Sequence, residues 1–200
     1  MIINLINRAN EQLGRLNLFA FTAPLLMRLF LAPVFWMAGT NKINHIDSTI
    51  AWFGNSEGGL GLPFPALFAW LATITEVVGA ICLLVGFATR WVSLPLMITM
   101  LVAAFTVHIQ NGWLAIAGSA WPFASERTLA ALERLDRAKS ILQEHGHYAW
   151  LTEHGGFVVL NNGIQFAATY FIMLLALFYV GAGKLSVDHL LARQFGPHST

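Results

Sequence analysis

Four long stretches of apolar residues, separated by polar segments, dominate the pattern along the chain. They cover Phe21–Thr40, Ala66–Ala88, Trp91–Val107 and Ile164–Gly183. Each stretch approaches the roughly 20 residues that an α-helix needs to cross about 30 Å of hydrocarbon. The pattern therefore predicts four transmembrane helices.

The segments outside these stretches carry two amphipathic patterns. The N-terminal pattern predicts a helix lying in the membrane interface, and its charged residues give no layout of a cleavable signal peptide. Its apolar positions are Ile2, Ile6, Ala9, Leu13 and Leu16. The second pattern, Glu126–His145, ends at Gly146 and predicts a helix in the long connection from His108 to about Leu160. In the first connection, Asn41–Pro65, the Gly and Pro residues argue against a regular helix.

Composition assigns the chain to a class of protein. Hydrophobic residues make up 56% of the 200 residues and charged residues only 10%, which is too little polar surface to coat a soluble domain. We predict an all-α integral membrane protein in which residues 1–200 form a single domain. Its fold is a four-transmembrane-helix bundle with an N-terminal interfacial helix and an amphipathic helix between helices three and four.

The basic residues nearest the helix ends set the expected orientation. Arg90 lies in the short turn between the second and third stretches, and Lys184 directly follows the fourth. We therefore expect both termini on the cytoplasmic side of a bacterial inner membrane, with the two longer connections facing the periplasm.

Glu76 is a carboxylate near the middle of the second stretch, where a charge is costly and usually marks function. Helical spacing places Arg28 on one face with Gly39 and Lys42, and places Glu76 on one face with two further glycines. Counted from the helix ends, the depths of Arg28 and Glu76 in the membrane differ by about 5 Å, which a long arginine side chain can cover. This predicts an ion pair between the two residues. Either the pair only fixes helix packing, or it handles a proton or ligand. We predict a buried polar cavity lined by Arg28, Lys42, Glu76 and Gln165.

Histidine and cysteine residues are the other candidate chemistry. His108, His145 and His147 are weak candidates for a copper or zinc site, because their spacing matches no closed tetrahedral signature. Cys82 is the single cysteine, so dithiol exchange within the chain is excluded. A net charge of +1 and the lack of a basic stripe argue against nucleic acid as a partner.

Several motifs resemble the DoxX family of four-helix bacterial membrane proteins. They are Arg28 with Phe35–Ile43, Glu76–Ala80, Gly86–Arg90 and Gly181–Asp188. The positions where the chain meets the family pattern include Gly39, Gly79, Gly86, Arg90, Gly183 and Asp188. The long second connection is similar to a subgroup called HvfX-type, which is associated with the maturation of copper-binding modified peptides. The resemblance implies a membrane function linked to redox or oxidative stress, and it carries over no catalytic residue.

Three functions follow as hypotheses. The first is a non-catalytic inner-membrane accessory protein that binds partners or a small ligand, and that supports copper-peptide maturation, export or oxidative-stress defence. Its partners would be lipid, other membrane or periplasmic proteins, and the copper-binding peptide with its maturation enzymes. The second is a quinone-interacting subunit of a membrane oxidoreductase, and the third is a small proton-coupled transporter that uses Glu76. Quinone and copper are the candidate cofactors. Assembly of the chain into a homo-oligomer is a further alternative.

Overall fold

The computed structural model describes residues 18–119 and 122–195, and the regular elements of this part of the chain are helices. Within it there is no β-strand, and one isolated bridge joins Ile116 and Leu160. The helices are α1 (Thr22–Asn44), α2 (Ile46–Gly54), α3 (Pro65–Val85), α4 (Thr89–Val102), α5 (Glu126–His145), α6 (Tyr148–Leu151), α7 (Gln165–Val180) and α8 (Val187–Phe195). A π-helical turn, Ala103–His108, and a 3-10 turn, Ile109–Asn111, continue α4.

Three helical stretches are long and apolar enough to cross a membrane: Thr22–Asn44, Pro65–Val85 and Thr89–Asn111. The fourth predicted stretch forms α7, an apolar helix of 16 residues. At 1.5 Å per residue α7 is about 24 Å long, somewhat less than the hydrocarbon thickness of about 30 Å. The all-helical membrane fold is therefore confirmed, whereas the count of four spans stays a prediction.

The described chain divides into two compact units. Unit 1 comprises residues 18–98 and 172–195, and unit 2 comprises residues 99–119 and 122–171. Unit 1 contains the pair of helices α1 and α3, together with α2 and α8. Unit 2 contains α5, α6 and the connections around them.

Helices α1 and α3 run antiparallel in close contact because Gly39 lacks a side chain. A Cβ atom at Gly39 would lie 2.6 Å from Val77 Cγ2 and 3.2 Å from Glu76 Cβ. Further along, Arg28 of α1 lies against Gly86 at the end of α3. The two contacts fix the register between the helices.

Unit 1 buries several polar side chains and leaves many large apolar ones exposed, as expected of helices surrounded by lipid. Arg28, Thr73 and Glu76 are buried, whereas large apolar residues of the same helices are exposed, among them Leu26, Met37, Leu71, Ile74 and Ile81. A soluble domain rarely exposes such continuous apolar faces. These exposed apolar faces support the assignment to a membrane protein.

The ends of α3 follow from local backbone chemistry. Pro65 occupies the first turn, where its missing N–H costs no hydrogen bond. Gly86 ends the helix with φ 71°, a left-handed conformation that glycine adopts without strain.

Two expectations about the connections have clear outcomes. The predicted helix Glu126–His145 is confirmed as α5, and Ser125 caps it by accepting a hydrogen bond from the Thr128 N–H at 3.3 Å. The expectation that the first connection lacks a regular helix is wrong, because Ile46–Gly54 forms α2. Its Gly and Pro residues cluster after Phe53 and break only the second half of the connection. The predicted interfacial helix falls in residues 1–17, outside the described residues.

Candidate functional site

The partner of Glu76 is Lys42, the basic residue in the last turn of α1. Lys42 Nζ donates hydrogen bonds to both carboxylate oxygens of Glu76, at 2.8 Å and 2.7 Å. Glu76 is only 3% exposed, whereas the Lys42 side chain is 25% exposed. The pair therefore joins a buried carboxylate to an ammonium group that reaches the surface of unit 1.

The predicted ion pair between Arg28 and Glu76 is wrong, and the register of α1 against α3 explains why. Gly39 packs at the level of Glu76, and Arg28 lies eleven residues earlier, or about 16 Å along the helix axis. Side chains on a helix lean toward its N-terminus, so Lys42 leans back over Gly39 and reaches Glu76. The depth estimate assumed that the end of α1 and the start of α3 lie at one level, whereas the Gly39–Val77 contact staggers the two helices.

A cleft of about 480 Å³ adjoins Lys42 between α1 and α2, and we call it the α1–α2 cleft. Polar side chains and two aromatic rings line it: Asn41, Lys42, His45, Ser48, Thr49, Trp52 and Phe53. His45 Nδ1 lies 3.0 Å from the Asn41 carbonyl oxygen, and Trp52 donates to the Gly58 carbonyl at 3.0 Å. Two of the three ammonium hydrogens of Lys42 are used by Glu76, so one is left for a molecule in the cleft.

Arg28 is buried at the other end of α1, where it contacts the segment that follows α7. It is 1% exposed, and its Nη2 donates to the Leu185 carbonyl at 2.6 Å. Its Nε and Nη1 are buried without a hydrogen-bond partner in the described residues. Gly86 makes room for the guanidinium, because a Cβ there would lie 1.6 Å from Nη1.

Asp188 lies on the same segment as Leu185, and it stabilises the turn between α3 and α4. Its carboxylate oxygens accept hydrogen bonds from the Ala88 N–H at 2.6 Å and the Thr89 N–H at 2.9 Å. These groups begin α4, so the carboxylate serves as its N-terminal cap. The charge of Asp188 also acts on Arg28.

The family-pattern residues Arg90, Gly183 and Asp188 gather around a second cleft, of about 550 Å³, which we call the C-terminal cleft. Its lining also includes Trp91, Lys184, Ser186 and His189. Arg90 Nη2 donates to the Tyr179 carbonyl at 3.1 Å, and Gly183 packs against Pro24 of α1. In the sequence these positions stand out only as matches to the family pattern, because they lie on segments that are far apart along the chain.

Gln165 has a partner of its own in unit 2. Its Oε1 accepts a hydrogen bond from the Ala115 N–H at 3.1 Å, which ties the loop after α4 to the start of α7. The predicted membership of Gln165 in a cavity with Arg28 and Glu76 stays a prediction.

A buried network in unit 2 was missed by the sequence analysis. Asn161 Nδ2 donates to the carbonyls of Asn111 and Leu114 at 2.7 Å and 2.8 Å, and Asn111 Nδ2 donates to the Asn162 carbonyl at 3.1 Å. Arg127 also donates to the Asn111 side chain. The Asn-Asn-Gly sequence that ends at Gly163 was the available signal, since it is typical of a tight turn.

The candidate metal-ligating histidines are not brought together. His108 Nδ1 lies 2.9 Å from the Asn162 carbonyl oxygen, and His145 Nε2 lies 3.6 Å from Glu144 Oε2. Among residues 18–119 and 122–195, no three His, Cys, Asp or Glu side chains group closely enough to hold a metal ion.

Comparison with known proteins connects the α1–α3 pair to one family. Residues 23–109 match the sequence model of the DoxX family. An uncharacterized protein of Haemophilus influenzae is 25% identical over 175 residues, covering 86% of this chain and 84% of that protein. A Bacillus subtilis protein named "Putative oxidoreductase CatD" is 29% identical over 93 residues, covering 46% of this chain and 65% of that protein. No solved structure matches the chain with significance.

The family match includes the residues of the candidate site. Arg28, Lys42 and Glu76 all fall within residues 23–109, whereas the C-terminal segment with Asp188 falls outside. The α1–α3 pair with its buried Lys42–Glu76 contact is therefore part of a region similar to the DoxX family of membrane proteins.

Proposed function

We propose that this chain is a non-catalytic accessory protein of a bacterial inner membrane that binds a small ligand in the α1–α2 cleft. The observation that carries the proposal is Lys42, which pairs with buried Glu76 and also lines the cleft. A buried carboxylate between apolar helices is costly, and such groups usually belong to functional sites.

The chemistry of the cleft suggests the class of ligand. Lys42 offers a hydrogen-bond donor held in place by Glu76, and Trp52 and Phe53, whose rings meet edge to face, offer apolar surface. Small-molecule sites commonly combine a mostly apolar wall with a few placed polar groups. A ligand with a flat apolar body and a hydrogen-bond acceptor fits this combination.

A quinone has both features, so the second candidate function is a quinone-interacting subunit of a membrane oxidoreductase. Two observations favour it: the aromatic side chains of Trp52 and Phe53 beside the Lys42 donor, and the name of the Bacillus subtilis relative, which is that of an oxidoreductase. In this role Lys42 would hold a carbonyl oxygen of the quinone, and the electron carrier would be on a partner protein.

The association with copper-peptide maturation rests on the long second connection alone. Under this proposal α5 and its neighbouring loops would face the peptide and its maturation enzymes on the periplasmic side. Co-purification of the chain with these partners, lost when residues 126–145 are replaced by a polar linker, is the expected result.

The test of the ligand site begins with the full chain purified in mild detergent. Its visible spectrum, its Cu, Zn and Fe content, and its quinone content after solvent extraction identify any bound molecule. Equilibrium dialysis with a short-chain benzoquinone then measures binding to wild type and to Lys42→Met.

Lys139→Met on α5 is the matched control, because it makes the same change outside the cleft. We expect Lys42→Met to weaken quinone binding by about tenfold, as for the loss of one hydrogen bond from a charged donor. Equal binding by wild type and both variants would reject the cleft as the site. A protein that carries quinone in stoichiometric amount would favour the oxidoreductase subunit over the accessory role.

A further inference from the structure

The C-terminal cleft, far from Lys42 on the opposite end of α1, combines positive charge with exposed aromatic side chains. Arg90 and Lys184 line it and are exposed, and Trp91 beside them is 76% exposed. All of these residues lie at or just beyond the ends of apolar helices, and basic and aromatic residues are typical of such positions at the headgroup level of a membrane. We propose that the C-terminal cleft binds the phosphate group of an anionic phospholipid headgroup.

The side chains that line the cleft carry an excess of positive charge, which an anion can balance. The carboxylate of Asp188 is the acidic group in the lining, and both of its oxygens already accept backbone N–H groups at the start of α4. Arg28 lies behind Ser186 and acts on Asp188, so its charge offsets the carboxylate. Arg90 and Lys184 then remain without an opposite charge in the described lining.

Unpaired donors of Arg28 lie directly behind the lining residue Ser186, although Arg28 does not itself line the cleft. Arg28 is 1% exposed, and its Nε and Nη1 have no hydrogen-bond partner within the described chain. Buried polar groups are nearly always paired with protein or water, so such donors indicate a site for a bound group. Arg28 Nη1 lies against Gly86 and next to Ser186, which is itself part of the cleft lining.

The backbone between α7 and α8 adds further donors. Gly181 and Gly183 have φ values of 84° and 79°, so the chain alternates in and out of the left-handed region. Such alternation turns successive N–H groups toward one side and forms anion-binding concavities. Among the described residues, the N–H groups of Ala182, Gly183 and Lys184 have no acceptor, and all three residues line the cleft.

A lipid headgroup explains the surroundings better than a free anion does. Val180 and Trp91 line the same cleft, and Tyr179 beside it is 71% exposed, so the charged groups adjoin an apolar surface. A phospholipid places its phosphate among the donors and its acyl chains against that surface. Basic pockets between membrane helices are known to hold anionic headgroups in this way.

The test measures lipid binding by native mass spectrometry of the full chain in detergent. The probes are phosphatidylglycerol, phosphatidylcholine and inorganic phosphate, each titrated separately. We expect phosphatidylglycerol to bind more tightly than phosphatidylcholine, and inorganic phosphate at equal concentration to leave phosphatidylglycerol binding unchanged.

Lys184→Gln should raise the dissociation constant for phosphatidylglycerol by roughly fivefold, and Arg90→Gln/Lys184→Gln by roughly 25-fold, since each cation contributes a similar amount. Arg134→Gln/Lys139→Gln on α5 removes the same charge outside the cleft and should leave the constant unchanged. Lys184 is exposed, so its single variant keeps the test valid if the double variant fails to fold.

Equal loss of binding in the cleft variant and the α5 variant would overturn the proposal, because binding would then depend only on total charge. Competition by inorganic phosphate at equal concentration would overturn the lipid assignment and identify a site for free anions. Loss confined to the cleft variants supports the proposal.

Discussion

At the scale of single residues, Lys42 and Glu76 depend on each other. Both oxygens of Glu76 accept from one ammonium group, and no other hydrogen bond to that carboxylate occurs within the described residues. Removing one member of a buried pair leaves the other charge uncompensated, whereas removing both is often tolerated. The same contact thus stabilises α1 against α3 and keeps a donor at the cleft.

We expect Lys42→Met to lower the free energy of unfolding by about 3 kcal/mol, because it strands the Glu76 carboxylate among apolar helices. The double change Lys42→Met/Glu76→Met should cost clearly less than the single change. Unfolding by SDS in mixed micelles measures both differences, with Lys139→Met as the control. A double variant that loses as much as the sum of the two single variants would show that the residues are not coupled.

At the scale of elements, close helix contacts depend on glycines at particular positions. Gly39 brings α1 against Val77 of α3, and Gly79 brings α3 against Leu96 of α4, where a Cβ would lie 2.8 Å from Leu96 Cδ1. Small residues at such contacts let membrane helices pack closely. The buried ion pair requires this approach, since Gly39 lies at the level of Glu76.

Gly39→Ala should destabilise the chain by about 1–3 kcal/mol, because the branched Val77 side chain and its backbone N–H, 3.1 Å away, leave no room for a methyl group. Gly39→Ala/Val77→Ala should recover part of the loss. Gly156→Ala is the matched control, because nothing lies within 4 Å of a Cβ there. An equal loss of unfolding free energy for Gly39→Ala and Gly156→Ala in SDS would contradict the tight α1–α3 contact.

A second prediction at this scale concerns the cap of α4. Asp188→Ala removes the acceptor for the Ala88 and Thr89 N–H groups and should cost about 1–2 kcal/mol. Asp188→Asn keeps one oxygen acceptor and should cost less. The same unfolding measurement checks both variants. Equal losses for Asn and Ala would indicate that the charge of Asp188, and not its acceptor oxygens, stabilises this turn.

At the scale of the whole molecule, the number of membrane crossings sets the side on which each terminus lies. Three stretches satisfy length and composition, and α7 is shorter. With α7 as a fourth span, both termini lie on the side of Arg90 and Lys184. With three spans, the C-terminal end of α7 would lie on the side of α5, which the hydrogen bonds of Asp188 to the turn before Arg90 argue against.

Labelling of single cysteines distinguishes these topologies once Cys82 is replaced by Ala. We expect a membrane-impermeant maleimide applied from the periplasmic side to label Ser56→Cys and Gln143→Cys, and to label Arg193→Cys only after the membrane is opened. All three positions are exposed, so accessibility reports the side of the membrane. Labelling of Arg193→Cys together with Gln143→Cys in intact membranes would contradict the four-span prediction.

Much of the helical plan was predictable because its signal is local. Apolar runs of membrane length and the amphipathic period of α5 depend only on neighbouring residues. Helix α2 was not predicted, because the Gly and Pro residues that follow it argued against a helix anywhere in the connection. The burial of Arg28 and Glu76 was also predicted, since a charge within an apolar stretch can be recognised from the sequence alone.

Partner choice was not predictable, because it depends on the register between helices that are distant in sequence. The sequence by itself determined a helical membrane protein with buried charges at Arg28 and Glu76, since hydrophobic length and unfavourable charge positions are local properties. Only the tertiary structure decided that Glu76 pairs with Lys42 and that Arg28 contacts Leu185. The close approach at Gly39 sets that register, and a shift of about four turns along α1 would exchange one cation for the other.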